Sequence, residues 1–327
     1  MITMTEIARI TGVSQPTVSR VLNGNRSVNP EVARRVLECA RENNFQPNVI
    51  ARSLNGSRTC LLAVIVPELT NPFFAEVVQA VAEEAEKQGY NILTFSSEHR
   101  LAKERRYLEI IQQYRVDGLL LAPTTEKGVP EIEPFRRLDI PWILITNRTD
   151  DVNCVYISHR EAGRMVADHL METGAKRFVF VGSAEDSKFR GFQERLWEAG
   201  VDPEGSVKQL REQTREQTME TLLAFLKERP EKTGIFAYND VEALTVMNTL
   251  LRERIQVPDE AALVGFDDTF ISGRILPGLT SVRQPVREMA EAAVQYIVGQ
   301  LKKDADPKPF RRVMGAELII RGSTVKG

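Results

Sequence analysis

Residues 14–20 (SQPTVSR) combine a serine that can cap a helix with side chains that can bind the edges of DNA bases. Ser14 precedes a helical pattern in which Val18, Val21 and Leu22 share one apolar side. The opposite side then presents Gln15, Pro16, Ser19 and Arg20. Arginine suits the O6 and N7 atoms of guanine, and glutamine suits the N6 and N7 atoms of adenine. The segment is therefore typical of a recognition helix that enters the major groove.

Two further helical patterns flank this segment and predict a small all-α domain over residues 1–45. Thr3 or Thr5 can cap the first helix, and Asn29 followed by a proline can open the third. Gly12 lies in the turn between the first two helices, as is typical of a helix-turn-helix. Thr17, Asn25, Arg26 and Ser27 are polar residues of this domain that we assign to phosphate contacts, which set register without reading sequence.

Residues 46–59 (QPNVIARSLNGSRT) form a separate segment that predicts a hinge. Pro47 and Asn48 can start a short helix, Ile50, Ala51 and Leu54 give it one apolar side, and an Asn-Gly-Ser sequence ends it. A helix of this length is unstable alone in water. We expect it to be ordered only against a partner.

Residues 60–327 alternate between continuous apolar runs, such as CLLAVIV and GIFAY, and amphipathic helical patterns. Continuous apolar strands are typical of parallel sheets covered by helices on both faces. The alternation occurs twice, which predicts an α/β core of two similar doubly wound lobes. We expect the N-terminal lobe at about 60–158 plus 286–316, and the C-terminal lobe at about 159–285 plus the C-terminal tail.

Polar side chains follow several of these predicted strands, where open α/β sheets bind small molecules. Asn71 with Phe73 and Phe74 follows the first strand, and Asn147 with Arg148 follows WILIT. In the second lobe the corresponding residues are Asn239, Asp240, Asp267, Asp268 and Gln284. Carboxylates that accept from adjacent hydroxyls suit a polyol. Asp240 and Asp268 have a second interpretation, since residues after parallel strands often cap the next helix.

The charge distribution and the motifs of the sequence limit the classes of protein to which the chain can belong. Residues 1–60 hold eight Arg and four Glu, a net charge of +4, within a chain of net charge -2, so a basic head precedes an acidic body. Phosphate-binding loops and a GxSxG elbow are absent from the sequence, and we interpret His99, His159 and His169 as surface or helix-flank residues. The three cysteines lack metal or disulfide spacing. We expect no enzyme activity, metal or cofactor, no membrane span, and a cytoplasmic location.

Residues 5–59 closely resemble the head and hinge of the lac repressor and purine repressor family, through GVSQPTVSRVLNG and PNVIARSL, and the resemblance covers the whole chain. It implies a helix-turn-helix head, a hinge and a periplasmic-binding-protein-like core. It also implies that Leu54 of paired hinges wedges into a minor-groove step. The predicted DNA-binding set is Thr5, Ser14, Gln15, Pro16, Thr17, Ser19, Arg20, Asn23, Asn25, Arg26, Asn48, Ala51 and Leu54.

The resemblance further implies operator DNA as a partner, a homodimer, and a sugar-like or nucleobase-like effector in the cleft. The predicted effector set is Asn71, Phe73, Phe74, Asn147, Arg148, Lys188, Arg190, Asn239, Asp267 and Gln284. Two positions depart from the family pattern. Pro16 replaces a polar residue, so one base contact is apolar or absent. Lys188 with Arg190 stands where many relatives carry one Arg, so either the effector is an acid or a phosphate or the site is altered. The candidate effectors are a sugar, a sugar acid, a sugar phosphate or a purine. A solute-binding receptor without DNA function is the alternative class.

Overall fold

The computed structural model describes residues 2–22, 28–45, 58–123, 129–148, 152–202, 206–302 and 309–326. The chain divides into two compact units, residues 1–59 and residues 60–327. The first unit contains three helices: α1 Met4–Thr11, α2 Gln15–Leu22 and α3 Pro30–Glu42.

The three head helices begin and end at residues suited to those positions. Thr3 caps α1 in a capping box, in which its hydroxyl accepts from the Glu6 amide and its amide donates to the Glu6 carboxylate at 2.8 Å. Gly12 ends α1 with φ 67°, a left-handed conformation that glycine adopts at little cost. Asn29 caps α3 by accepting from the Glu31 amide at 2.9 Å. The helices enclose an apolar core in which Ile7 is fully buried.

The second unit contains two six-stranded sheets, each at the centre of a lobe. The first sheet has the order β11-β5-β4-β3-β1-β2 and is wholly parallel. Its strands are β1 Leu61–Val66, β2 Asn91–Ser96, β3 Gly118–Leu121, β4 Trp142–Thr146, β5 Cys154–Ile157 and β11 Arg311–Met314. Its helices are α4 Pro72–Lys87, α5 Leu101–Gln113, α6 Val129–Arg136 and α11 Val286–Lys302. Helix α11 joins this lobe because it packs on α4, β3, β4 and β5.

The second sheet has the order β12-β10-β9-β8-β6-β7, in which only the β10–β12 pair is antiparallel. Its strands are β6 Arg177–Val181, β7 Val207–Leu210, β8 Thr233–Ala237, β9 Ala261–Asp267, β10 Thr280–Arg283 and β12 Glu317–Ile319. Its helices are α7 His159–Glu172, α8 Ser187–Glu198, α9 Arg215–Glu228 and α10 Asp240–Arg252. The two lobes have the doubly wound α/β architecture expected from the sequence.

The chain passes between the sheets after β5, after β10 and after β11. Each sheet reverses its strand order once, between β1 and β3 in the first lobe and between β6 and β8 in the second. Loops that leave adjacent strands in opposite directions at such a point form a crevice. The chain segments that follow β1, β6 and β8 hold some of the candidate ligand-binding residues, and the others follow β4, β9 and β10.

Helices α7 and α8 of the second lobe approach closely because a glycine faces each backbone. A Cβ atom on Gly163 would lie 2.0 Å from the Lys188 carbonyl oxygen, and one on Gly191 would lie 1.8 Å from the Arg160 carbonyl oxygen. Ion pairs also join the helices, including the Arg164–Glu198 pair at 2.6 Å. Side chains larger than hydrogen do not fit at either glycine, so this contact sets the position of α8.

Several sequence-based expectations were wrong in detail. His169 is buried, with Nε2 2.8 Å from the Thr324 hydroxyl, because α7 turns that position toward the C-terminal segment. The helical pattern at the start of the second lobe predicts a helix from Glu161, whereas α7 begins at His159, after the short strand β5. The helical pattern over residues 218–226 predicts a helix from Thr218, whereas α9 begins at Arg215 because Thr214 forms a capping box with Gln217. None of the helices over the described residues is long and apolar enough to cross a membrane.

Candidate functional site

Helix α2 presents the predicted base-reading residues on its solvent side. Val18 is fully buried and Val21 is nearly so, and this orientation leaves Gln15, Pro16 and Arg20 exposed. Pro16 lies in the first turn, where its missing N–H has no intrahelical role. The helix therefore offers an amide, a guanidinium and one apolar ring to a ligand outside the domain.

Four other predicted DNA-binding residues lie within the described part of the head. The Ser14 and Thr17 hydroxyls are 2.8 Å apart at the start of α2, and the Thr17 amide donates to Ser14 Oγ at 3.4 Å. Ser19 is half-buried, and Thr5 is exposed on α1. The remaining members of the predicted set lie outside the described residues: Asn23, Asn25, Arg26, Asn48, Ala51 and Leu54.

In the second lobe, Asp267 ends β9 and lies beside Gln284, which follows β10. Gln284 Nε2 donates to Asp267 Oδ1 at 2.8 Å, and both side chains are buried. Gln284 Oε1 has no hydrogen-bond partner among the described residues, and such a buried acceptor costs about 1–3 kcal/mol. Asp267 also has φ 103°, a strained value for a residue with a Cβ. Burial raises the pKa of Asp267 well above its ordinary value, although the Lys188 ammonium opposes that shift.

Lys188 is the buried cation of this group, whereas Arg190 is exposed. Lys188 Nζ donates to the Tyr238 carbonyl oxygen at 2.8 Å, lies 3.7 Å from Asp186 and sits 4.3 Å from the centre of the Phe266 ring. The two candidates are two residues apart on α8, so they point to opposite sides of the helix. The structure thus does not support Arg190 as a member of the cleft.

Asp240 organises the loop between β9 and β10, a role that differs from the simple helix cap considered from the sequence. Its carboxylate accepts from the Thr269 amide at 2.7 Å, from the Ser272 hydroxyl at 2.6 Å and from the Ser281 hydroxyl at 2.6 Å. Burial raises its pKa, and these hydrogen bonds oppose the shift. Asp268 is likewise no helix cap, because it forms ion pairs with Arg283 and Arg321.

Two asparagines of the predicted effector set use their side-chain oxygens as helix caps. Asn71 Oδ1 accepts from the Phe73 amide at 3.1 Å to begin α4, and Asn239 Oδ1 accepts from the Glu242 amide at 2.8 Å to begin α10. Phe73 is buried in the core, and Phe74 is half-buried with its ring 5.2 Å from that of Phe73. Phe74 is therefore the more accessible of the two rings.

The first lobe also has predicted effector-binding residues where its strand β4 ends. Asn147 is half-buried, and Arg148 is exposed with its guanidinium 5.9 Å from the Tyr156 ring centre.

Glu76 on α4 was missed by the sequence interpretation. Burial raises the pKa of its carboxyl, the backbone of Phe270 in the second lobe opposes that shift, and the charge of Asp268 adds to it. Its position one turn beyond Phe73 on the same helix was the signal that could have found it.

Comparison with known proteins gives two family matches. Residues 3–48 match the model of the bacterial regulatory proteins of the lacI family, and residues 167–324 match the periplasmic binding protein-like domain. The chain is 30% identical to the HTH-type transcriptional regulator DegA of Bacillus subtilis over 98% of both proteins. These matches and the fold identify a transcription regulator with a periplasmic binding protein-like domain. The chain belongs to the LacI family of bacterial regulatory proteins.

Two further similarities agree with that assignment. The chain is 29% identical to the ribose operon repressor of Halalkalibacterium halodurans, over 100% of this chain and 98% of that protein. Its fold matches the lac repressor dimer bound to operator and the anti-inducer ONPF, with a TM-score of 0.86, 21% identity and 99% of both chains covered. The predicted family and fold class are therefore confirmed. These relatives are transcription regulators.

Proposed function

We propose that this protein is a ligand-responsive repressor that binds a pseudo-palindromic operator as a homodimer. The observation that carries the proposal is the exposed, capped helix α2, with Gln15 and Arg20 directed away from the head core. A single small head makes few contacts with DNA, so specific affinity requires two heads on half-sites about one helical turn apart. The names of two relatives, a ribose operon repressor and a lac repressor, support repression as the direction of control.

The DNA contacts of the head fall into two classes in this proposal. Gln15, Pro16, Ser19 and Arg20 contact base edges, and Ser14, Thr17 and Thr5 contact the phosphate backbone. The remaining predicted contacts belong to residues outside the described part of the chain, with Asn23, Asn25 and Arg26 on phosphates and Asn48, Ala51 and Leu54 in the hinge. Pro16 offers no hydrogen bond from its side chain, so its contact is apolar.

The effector binds in the crevice between the lobes. Asp267 and Gln284 bind its polar groups, Phe74 packs on its apolar face, and Lys188 binds the Tyr238 carbonyl oxygen in the segment after β8. The ligand closes the crevice only if it binds the closed state more tightly than the open state. The same difference in ligand affinity between the two states changes the affinity of the protein for the operator. The effector is a small polar molecule of sugar-like size.

The test is selection of an operator from random DNA with full-length protein, followed by gel shift at physiological salt. Arg20→Ala is expected to cost about 1–3 kcal/mol at one base pair and to relax selectivity there. Arg34→Ala is the matched control, because Arg34 is an exposed head arginine on α3 that pairs with Glu38 at 3.2 Å. Failure to select any sequence would refute the repressor and favour a solute-binding receptor, and equal effects of both variants would remove Arg20 from the base-reading set.

A further inference from the structure

Strand β9 ends in two successive residues with left-handed backbone conformations. Asp267 has φ 103° and Asp268 has φ 47°, values that are unfavourable for residues with a Cβ atom and persist only where surrounding contacts hold them. The turn places Asp267 beside Gln284, whose Nε2 donates to Asp267 Oδ1 at 2.8 Å. The contacts that hold this turn therefore decide where the Asp267 carboxylate lies.

Asp268 makes the contacts that hold the turn. Its amide donates to the Ser281 hydroxyl at 3.0 Å, and its side chain is only 4% exposed. Arg283 Nε and Nη2 both lie 2.8 Å from Asp268 Oδ2, and Arg321 Nη1 lies 2.7 Å from Oδ1. Oδ1 accepts no hydrogen bond from the described residues, so Arg321 acts on it as a positive charge. Screening by solvent is weak at a carboxylate buried to this extent.

The two arginines differ in how firmly they are held. The Arg283 side chain is 50% exposed, whereas that of Arg321 is 22% exposed. Arg321 Nη1 also donates to the Leu279 carbonyl oxygen at 2.7 Å, and its amide donates to the Thr280 hydroxyl at 2.8 Å. The stem of Arg321 packs over Gly278, where an added Cβ would lie 3.3 Å from Arg321 Cδ. Arg321 is thus the more firmly held of the two cations.

The chain just after this arginine is anchored to the second lobe. The Ser323 hydroxyl donates to the Leu263 carbonyl oxygen at 2.5 Å and accepts from the Thr280 amide at 2.8 Å. The Thr324 hydroxyl lies 2.8 Å from both His169 Nε2 and the Thr280 hydroxyl. Ser323 and Thr324 are both buried. This part of the chain therefore forms a fixed base from which the arginine reaches the turn after β9.

We propose, on the basis of the effector role proposed above for Asp267, that Arg321 is a positioning residue of the effector site. By holding the Asp268 carboxylate, Arg321 fixes the left-handed turn that presents Asp267 to the effector. Without that charge, Asp268 keeps only the exposed Arg283 as a cationic partner, and the turn relaxes toward ordinary backbone conformations. The head belongs to a separate compact unit, so its DNA contacts do not depend on this turn.

The first test needs no ligand and compares hydrogen–deuterium exchange of full-length Arg321→Met and Arg195→Met by mass spectrometry. Arg195 is the matched control, because it is an arginine of α8 that also lies 2.7 Å from its carboxylate partner and is 31% exposed. Arg321→Met is expected to raise exchange in peptide 264–272 about tenfold, since the amides of Asp268 and Thr269 donate to side chains that the turn brings close. Unchanged exchange in Arg321→Met, or an equal rise in Arg195→Met, would overturn the proposal.

The second test asks whether Arg321 acts through Asp268. Ribose, glucose, gluconate, glucose 6-phosphate and guanine are screened by thermal shift, and the probe that binds most tightly is titrated by calorimetry. Arg321→Met and Asp268→Asn are each expected to weaken binding about tenfold, and the double variant by the same tenfold, because both changes break one contact. Arg321→Lys retains the charge and is expected to weaken binding less than Arg321→Met. A hundredfold loss in the double variant, or a loss in Arg321→Lys equal to that in Arg321→Met, would overturn the proposal.

Operator binding without ligand is measured in the same samples. Arg321→Met is expected to retain the operator affinity of the wild type, which a general loss of folding would not allow. Failure of the wild type to bind any operator would refute the proposed repressor and leave the exchange and ligand comparisons intact. If none of the probes binds, the exchange result alone supports or overturns the positioning role.

Discussion

The contact between α7 and α8 allows a quantitative test of how the second lobe positions Lys188. In Gly191→Ala, the new Cβ would lie 1.8 Å from the Arg160 carbonyl oxygen, whereas ordinary contacts begin near 3.4 Å. The obstacle is a helix backbone, so α8 must move by more than 1 Å. Overpacking of this kind lowers the free energy of unfolding by up to about 3 kcal/mol. Alanine in place of glycine raises it by about 1 kcal/mol through its higher helix propensity. The expected net loss is about 2 kcal/mol.

The assay is thermal unfolding of the full chain by circular dichroism and differential scanning fluorimetry. One kcal/mol corresponds to about 2 °C in a unit of this size, so Gly191→Ala should lower Tm by about 4 °C. Gly299→Ala is the control, because Gly299 lies in helix α11 and a Cβ added there would meet no atom within 4 Å, so this variant should gain up to about 1 kcal/mol. If Gly191→Ala matched that control in sign, the close approach of α7 and α8 would be refuted.

Further predictions concern titration and ligand response. Asp267→Asn keeps an acceptor for Gln284 but removes the carboxyl group, whose pKa burial raises. A buried acid with a raised pKa loses its contribution to stability as the pH rises through that pKa, so the variant should be more stable than the wild type near pH 7. It should also lose its effector response. A less stable apo variant in thermal melts would contradict this. Burial lowers the pKa of His169, so its contribution is present above about pH 6.5 and falls with decreasing pH by at most about 1.4 kcal/mol per pH unit. His169→Gln should flatten urea-measured stability between pH 7 and 5, and an unchanged pH profile would exclude this role.

Much of the fold could be predicted because its strands are long apolar runs with local turn residues between them. Strands β5 and β7 were missed because each has four residues and β7 (VKQL) carries two polar ones. In the head, side-chain capping and apolar spacing are both local, which is why α2 begins where Ser14 predicts it to begin.

The cleft could be predicted less well, because its contacts join residues distant in the chain. Sequence spacing places Lys188 and Arg190 on opposite sides of one helix, but only the packing of α8 on α7 decides which side faces inward. The hydrogen bonds of Asp240 reach 29 to 41 residues along the chain, beyond any local signal.

The three passages of the chain between the sheets have a consequence for biosynthesis. The first sheet receives its edge strand β11 from residues near the C-terminus, and α11 covers β3 and β4 with a face that includes Ile297. A ribosome that adds about 5–20 residues per second needs roughly ten seconds to travel from the end of β5 to α11. During that interval an apolar sheet face lacks its cover, so the first lobe can complete its sheet and bury that face only after most of the second lobe has been made.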